Sequence, residues 1–195
     1  MKAVVLKGHG GPDDLRVEEV ADPAVGASEV RVRVKAAGVN FAELMATRGL
    51  YPDAPKTPCV LGYEFAGEVE SVGAEVSGFT PGDEVFGPTM FGGYAELVSV
   101  PAADLYRIPE NLTLEQAAAL PVNYCTALAA LVLMGGLNAS QRVLIHAVAG
   151  GVGIAATQIA RAAGAEIFGT ASAAKHEAVR QQGVTHPIDY RSLDF

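Results

Sequence analysis

The stretch Val143-Leu-Ile-His-Ala-Val-Ala-Gly-Gly-Val-Gly-Ile154 decides the fold. Its first three residues, 143–145, form a short apolar run, which is typical of a parallel strand buried on both faces. The segment 154–163 that follows the stretch is rich in good helix formers. Between strand and helix lies a turn that contains three glycines: Gly150, Gly151 and Gly153. The stretch therefore predicts a strand, a glycine turn and a helix.

The glycine turn is a candidate anion-binding site. Backbone N–H groups can approach a diphosphate there because a Cβ would hold the phosphates away, and a helix N-terminus adds favourable partial charge. An ordinary turn remains an alternative, since Val148 occupies the first position of the G-x-G-x-x-G pattern. The residues expected to bind a dinucleotide diphosphate are Ala149, Gly150, Gly151, Val152 and Gly153.

The sequence after this turn repeats the same pattern. An apolar strand is expected at 166–170, a second helix at about 173–182 and a short third strand at 187–190. Strands that alternate with helices indicate a parallel sheet. This context predicts half of a Rossmann dinucleotide-binding fold.

The end of the second strand bears on which nucleotide binds. Folds that prefer NAD usually place an acid there for the ribose 2′-hydroxyl, whereas residues 169–175 contain none. Ser172 and Lys175 suit a 2′-phosphate instead, and Tyr190 could cover the adenine side. The alternative is that Ser172 caps the second helix and Lys175 is merely solvated, although a cation opposes the helix dipole at that position. We therefore expect NADPH as the cofactor.

The first part of the chain has a different pattern. The segment 30–35 alternates strictly between apolar and basic residues, as a half-buried strand does. Further short strands separated by glycine and proline indicate an all-β region up to about residue 110, and a capping box at 113–116 begins a helix. We expect an N-terminal domain at 1–118 and a nucleotide-binding domain at 119–195.

Composition excludes some classes of function. The chain has 195 residues, half of them apolar, and a net charge of −8, which argues against a nucleic-acid partner. Cys59 and Cys125 have no metal or redox spacing and are expected to be buried free thiols in a reducing compartment, the cytoplasm. The N-terminal segment 1–6 is too short for a signal peptide. The longest apolar stretch, about 117–133, is expected to be a core helix and not a membrane span.

Three segments carry a resemblance to a known family: Gly38-Val-Asn-Phe-Ala-Glu-Leu-Met45, His146-Ala-Val-Ala-Gly-Gly-Val-Gly153 and Phe168-Gly-Thr-Ala-Ser172. Together they resemble the zinc-independent quinone oxidoreductase branch of the medium-chain dehydrogenase/reductase superfamily. Within that branch the segments 122–124, 170–178 and 183–190 are similar to synaptic-vesicle amine-transport protein homologues. The segment 149–153 and the terminal segment 192–195 are also similar to the enoyl reductase domains of polyketide synthases.

The resemblance implies an architecture. It is an α/β fold with an N-terminal all-β, GroES-like substrate domain at 1–118, followed by the N-terminal half of a Rossmann domain at 119–195. Members of this branch run well past 300 residues, so we expect the chain to be a truncated piece. The full-length form is expected to pair as a homodimer, as relatives often do.

The resemblance also implies a chemistry. Asn40 and Tyr63 stand where the zinc-dependent relatives place metal ligands, so we expect no metal. Asn40 should face nicotinamide and substrate, Tyr63 could donate a hydrogen bond or proton to a substrate oxygen, and Thr126 should contact the nicotinamide carboxamide or ribose. The alternatives are a turn residue for Asn40, aromatic packing for Tyr63 and helix capping for Thr126. Glu64 is expected to pair with a buried partner.

Three functions remain open. The first is an NADPH-dependent reductase of small quinones or α,β-unsaturated carbonyls, which would add a hydride to the polarised acceptor. The second is an enoyl-thioester reductase acting on a CoA-bound or carrier-bound substrate, for which basic residues such as Arg48 and Lys56 would be wanted near the pocket mouth. The third is a non-catalytic vesicle-associated or membrane-associated protein.

Overall fold

A computed structural model of the chain describes residues 1–193. Asp194 and Phe195 lie outside the described residues. They are the last two residues of the predicted second domain and of the terminal segment 192–195. The chain divides into two compact units, Met1–Pro121 and Val122–Phe195. Each unit has its own hydrophobic core.

The first unit contains eight strands and two short helices among the described residues. They are β1 (Lys2–Leu6), β2 (Leu15–Glu19), β3 (Glu29–Ala37), α1 (Phe41–Thr47), β4 (Cys59–Val60), β5 (Glu64–Val72), β6 (Glu84–Pro88), β7 (Leu97–Pro101), β8 (Tyr106–Arg107) and α2 (Leu114–Ala118). The strands form two antiparallel sheets, one in the order β2-β1-β4 and one in the order β7-β3-β5-β6-β8.

The alternation predicted for β3 sets which side chains enter the core. Val30 and Val32 are fully buried, whereas Arg31 and Arg33 between and after them both form ion pairs with Glu70 on β5. This inside–outside pattern is that of a strand with one face on the core. The strand order places β5, and therefore Glu64 at its start, in the middle of the sheet.

The second unit is a three-stranded parallel sheet with helices. Its elements are α3 (Pro121–Leu128), a π-helical turn (Ala129–Met134), β9 (Arg142–Ile145), α4 (Gly151–Ala162), β10 (Glu166–Thr170), α5 (His176–Gln182) and β11 (His186–Ile188). The strand order is β11-β10-β9, and both pairings are parallel. The expected α/β class, an all-β region followed by a Rossmann-like parallel sheet, is confirmed.

Two local expectations for the second unit differ from the structure. The third parallel strand ends at Ile188, and Tyr190 lies in a turn closed by N–H groups that donate to the Asp189 carbonyl. The second helix begins at His176, after a 3-10 turn over Ala173–Lys175.

The apolar stretch 117–133 is not one core helix. Helix α2 ends at Ala118, and Pro121 begins α3, where a proline is tolerated because the first N–H needs no partner within the helix. Leu133 and Met134 are 76% and 86% exposed. Within residues 1–193 no helix has the length and apolarity needed to cross a bilayer.

Candidate functional site

Helix α4 presents unpaired backbone donors at its N-terminus. Gly150 is the N-cap, and the first helical hydrogen bond runs from Ile154 N to Gly150 O at 2.8 Å. The N–H groups in the first turn, 151–153, have no acceptor within an α-helix and point out of its end. No acidic side chain lies in that turn to neutralise the helix dipole. The predicted diphosphate cradle is therefore the open, positive end of a helix of 12 residues.

The glycines of this turn serve different purposes. A Cβ on Gly153 would lie 2.6 Å from Ala147 O and from Val148 Cα, so glycine is needed there for helix and turn to pack. Gly150 differs, because its φ of −89° is open to any residue and a Cβ would meet only Ala147 O at 3.3 Å. The packing of the protein itself thus gives only a weak reason for glycine at 150, one close approach to a backbone oxygen. A ligand that approaches the backbone would give a further reason for glycine, because a side chain at 150 would keep it away.

A cavity of about 230 Å³ opens beside this turn. Its lining consists of residues from the glycine turn, the end of β10 and the two segments that follow: Ala147, Ala149, Gly150, Thr170, Ala171, Ser172, Lys175 and Tyr190. Five of the nine predicted cofactor residues are among them: Ala149, Gly150, Ser172, Lys175 and Tyr190. Gly151, Val152 and Gly153 form the adjacent first turn of α4, whereas Thr126 lies exposed on α3 and does not line the cavity.

The polar side chains of the cavity suit an anion. Ser172 is the N-cap of the 3-10 turn, yet its hydroxyl makes no capping hydrogen bond, so the alternative of a capping role has no support. Lys175 is exposed at the rim, and Tyr190 is half exposed with the Arg191 guanidinium 5.8 Å from its ring centroid. No acid lies among the described lining residues. The residues present therefore fit a phosphorylated ligand.

One contact of the turn could not be predicted from the sequence. Ala147 has a φ of +50°, a left-handed conformation that is strained for alanine. Its N–H donates to Thr170 Oγ1 at 3.1 Å, and Val148 N donates to Thr170 O at 3.0 Å. Thr170 thus holds the start of the glycine turn against β10. A threonine at the end of a strand carries no sequence signal for this role.

The second group of predicted residues lies in the first unit, around two buried carboxylates. Asn40 is the N-cap of α1 and forms a capping box with Glu43, whose Oε2 accepts from Asn40 N at 2.8 Å. The other oxygen of Glu43 accepts from Tyr63 N at 3.2 Å. Asn40 Nδ2 donates to Glu64 Oε1 at 2.8 Å. Two hydrogen bonds therefore join α1 to the start of β5.

Both carboxylates in this network are removed from solvent. Glu43 is 2% exposed and Glu64 is 1% exposed. Glu64 pairs with Asn40, which is partly buried and not the fully buried partner that was expected. A Cβ on Gly38 would lie 2.0 Å from Glu64 Oε1, so glycine is required where the Glu64 side chain crosses the backbone. The spacing of Gly38 and Asn40 in the motif thus has a structural cause.

Tyr63 is packed among aromatic side chains. Its ring centroid lies 5.9 Å from that of Tyr51 and 5.1 Å from that of Phe91. The hydroxyl is buried and lacks a hydrogen-bond partner among the described residues. Burial, with smaller contributions from neighbouring acidic groups, raises the pKa of Tyr63 to about 12, so the phenol stays neutral near pH 7. The packing alternative is thus observed, and donation to a substrate remains a prediction.

The described residues contain no cluster of metal-ligating side chains. Within residues 1–193 no three His, Cys, Asp or Glu side chains are grouped so that they could hold a metal ion. Cys59 and Cys125 are free thiols, but the expectation that both are buried is wrong, because Cys59 is only partly buried and Cys125 is exposed. Asn40 donates to Glu64 through its carboxamide, and Tyr63 donates to Glu43 through its backbone N–H.

Comparison with known proteins places this geometry in a family. The alcohol dehydrogenase GroES-like domain family matches residues 26–110. The synaptic vesicle membrane protein VAT-1 homolog of Danio rerio is 47% identical over 196 residues, which cover all of this chain and 40% of that protein. The pikromycin polyketide synthase component PikAII of Streptomyces venezuelae is 39% identical over 180 residues, covering 91% of this chain and 5% of that protein. The chain spans about half the length, or less, of the curated relatives it matches.

Solved structures agree in fold and in topology. The Escherichia coli quinone oxidoreductase complexed with NADPH aligns with a TM-score of 0.92 and 33% identity, covering all of this chain and 60% of that one. The CurK enoyl reductase aligns with a TM-score of 0.93 and 34% identity, covering 99% of this chain and 60% of that one. The GroES-like sheet, the glycine turn and these relatives together show that the chain belongs to the medium-chain dehydrogenase/reductase superfamily, in its quinone oxidoreductase branch.

Proposed function

We propose that this chain is the substrate-domain and nucleotide-binding portion of an NADPH-dependent, zinc-independent reductase of quinones or α,β-unsaturated carbonyls. One observation carries the proposal: Gly150 in the glycine turn lines the same cavity as Ser172 and Lys175, which follow β10. This cavity lies beside the open end of α4. Membership of the family supports an oxidoreductase with a nicotinamide cofactor. The phosphate on the cofactor and the nature of the acceptor are the more specific parts of the proposal.

The cofactor would be held by backbone and side-chain donors of the second unit. The N–H groups of 151–153 would bind the diphosphate, while Ser172 and Lys175 would bind the 2′-phosphate and Tyr190 would cover the adenine side. At about 230 Å³ the cavity is smaller than the ~300–1,000 Å³ of a complete ligand site, so it suits this end of the molecule only. When bound, NADPH supplies a hydride. The E. coli quinone oxidoreductase complexed with NADPH supports this choice of nucleotide.

The acceptor would be polarised by hydrogen bonds from the first unit. Asn40 and Tyr63 stand where metal-dependent relatives place ligands, and neither a carboxamide nor a neutral phenol is a usual zinc ligand. Both can donate a hydrogen bond to an oxygen that gains negative charge as the acceptor is reduced. With the pKa of Tyr63 at about 12, the phenol would act as a hydrogen-bond donor. Thr126 on α3 would contact the nicotinamide portion.

A second candidate is reduction of an enoyl thioester bound to CoA or to a carrier protein. The specific support is the likeness to a polyketide synthase component and to the CurK enoyl reductase. Arg48 and Lys56, both exposed near Tyr51, would then face the phosphorylated arm of the substrate.

The proposed location rests on the two cysteines, and the proposed assembly rests on the family resemblance. Free thiols at Cys59 and Cys125 fit a reducing compartment, so we place the protein in the cytoplasm. A homodimer is proposed for the full-length form from the family resemblance. The names of the VAT-1 relatives keep a vesicle-associated role as the alternative.

The test is NADPH oxidation by the protein that contains this chain, offered a simple quinone and a crotonyl thioester in parallel. We expect turnover of the quinone with NADPH, and a preference for the thioester would select the second candidate. The Gly150→Val variant is the matched control, because it should remove turnover of either acceptor. Failure of the unaltered protein to bind NADPH or NADH at saturating concentrations would overturn the proposal.

A further inference from the structure

The hydrogen bond between Asn40 Nδ2 and Glu64 Oε1 bears on the orientation of the Asn40 carboxamide as well as on the start of α1. A carboxamide can rotate by half a turn and exchange its oxygen and nitrogen with little change in shape. A carboxylate accepts hydrogen bonds and, when ionised, donates none. In the structure Nδ2 of Asn40 faces Glu64, which is the only orientation that an ionised Glu64 admits.

The opposite side of the carboxamide is also constrained. The capping-box arrangement turns the Asn40 side-chain oxygen towards the backbone N–H of Glu43, although this contact falls short of a full side-chain cap hydrogen bond. One Nδ2 proton is used by Glu64, so one remains for another acceptor. The two neighbours thus select the same orientation of the group that the proposed function places against the substrate oxygen.

The surroundings keep Glu64 in place for this purpose. The side chain is 1% exposed, and Gly38 leaves the room in which it lies, since a Cβ there would be 2.0 Å from Oε1. Glu64 also begins β5, a central strand of the five-stranded sheet. A buried acceptor on a rigid strand can hold a hydrogen-bond donor within the narrow geometry that a reacting centre needs.

We propose that Glu64 is a positioning residue that sets the orientation of the Asn40 carboxamide, and so presents an N–H to the acceptor oxygen. The inference rests on the proposed function for its role in reduction. Glu64 itself touches neither substrate nor cofactor in this scheme. Its effect on turnover must therefore pass through Asn40.

The orientation is tested by NMR of the Asn40 side-chain amide in this chain. We expect a wide separation of the two Nδ2 proton shifts, because one proton donates to a carboxylate. The isosteric Glu64→Gln variant offers either an oxygen or an N–H, so the separation should shrink. Glu68→Gln is the control, since Glu68 lies on the same strand but is paired with Lys35 at 3.3 Å. A separation that is unchanged by Glu64→Gln would overturn the proposal.

The effect on reduction is tested by kinetics in two backgrounds. Glu64→Gln should lower kcat by roughly tenfold and leave the KM for NADPH unchanged, whereas in an Asn40→Ala background it should have no further effect. Equal losses in both backgrounds would overturn the positioning role. Absence of turnover in the unaltered protein would instead overturn the proposed function, and the NMR result would still decide the orientation.

A reversed pair separates positioning from simple support of the fold. In the double variant Asn40→Asp with Glu64→Gln, the amide and the carboxylate exchange places, and a hydrogen bond between the two positions is kept. We expect the melting temperature of the double variant to be close to that of the unaltered protein. Turnover should stay absent, since position 40 no longer offers an N–H. Recovery of turnover together with stability would show that only the bond between the two positions matters.

Discussion

The backbone N–H of Ala147 donates to the hydroxyl of Thr170 at 3.1 Å and so ties the strained start of the glycine turn to β10. Ala147 adopts a φ of +50°, which costs an alanine about 1–2 kcal/mol. The conformation persists because Thr170 supplies both a side-chain and a backbone acceptor to consecutive N–H groups. The cradle proposed for the diphosphate depends on this turn.

Thr170→Val should weaken the turn. The variant keeps the shape of the side chain and removes the acceptor, so the Ala147 N–H loses its partner. We expect the free energy of unfolding to fall by about 1–2 kcal/mol and cofactor affinity to fall with it. Urea denaturation and a fluorescence titration with NADPH measure the two effects. Thr170→Ser keeps the hydroxyl and should retain most of both; full stability and affinity in Thr170→Val would show that this hydrogen bond does not hold the turn.

Gly150→Val should separate binding from folding. The backbone at 150 is ordinary and the Cβ would meet one atom, Ala147 O, at 3.3 Å, so we expect stability to fall by only about 1 kcal/mol, as for a poorer N-cap. Binding of NADPH and NADH should be lost, because the new side chain would stand in the path of the diphosphate.

Gly153→Ala gives the opposite pattern and serves as the comparison. Its Cβ would lie 2.6 Å from Ala147 O, so the backbone must shift and the free energy of unfolding should fall by about 1–3 kcal/mol. Thermal unfolding with and without NADPH measures both variants. If Gly150→Val still bound NADPH at the affinity of the unaltered chain, the cradle would lie elsewhere.

Much of this fold could be predicted because its signals are local. The apolar run 143–145, the glycines and the helix formers after them predict β9, the turn and α4, and the structure has all three. The strict alternation at 30–35 likewise predicts part of β3. Each element is determined by residues that are neighbours in sequence, so one sequence suffices.

The networks around the sites could not be predicted because they depend on contacts between distant residues. Glu43 and Glu64 were not expected to join α1 to β5 through Asn40 and Tyr63, since no spacing in the sequence encodes a bond across the fold. The strained φ of Ala147 has no sequence signal either, as alanine is not typical of left-handed turns. The end of the third strand was misplaced because Tyr190 has strand propensity but lies in a turn.

Lys175→Ala tests the choice of nucleotide. The ammonium group lies at the rim of the cavity and would pair with the 2′-phosphate, a contact that NADH lacks. We expect NADPH binding to weaken by about 1–2 kcal/mol and NADH binding to stay nearly unchanged. Isothermal titration with both nucleotides measures the difference. Arg180→Ala is the control, because Arg180 is an exposed cation on α5 that does not line the cavity; equal losses for both nucleotides in Lys175→Ala would remove the 2′-phosphate assignment.

Tyr63→Phe tests the buried hydroxyl. An unpaired buried hydroxyl is unfavourable, so its removal should raise the free energy of unfolding at pH 7 by up to about 1 kcal/mol. The variant should also lower turnover if Tyr63 donates to the acceptor oxygen, whereas aromatic packing on Tyr51 and Phe91 would be retained. Urea denaturation and the quinone assay measure the two effects. A loss of stability at pH 7 would show that the hydroxyl has a partner in solution.

The same variant predicts a change in alkaline stability. The pKa of Tyr63 is about 12 in the folded chain and about 10 when unfolded, so between these values the unfolded state gives up the proton first. The stability contributed by the neutral phenol is complete below pH 10 and is lost as the pH rises towards 12. Tyr63→Phe should therefore flatten the fall in stability above pH 10, although burial also raises the pKa of Tyr94 and leaves part of the fall in place. Tyr106→Phe, a change at a 57% exposed ring, should leave the curve as it is, and an unchanged curve in Tyr63→Phe would show that Tyr63 titrates normally.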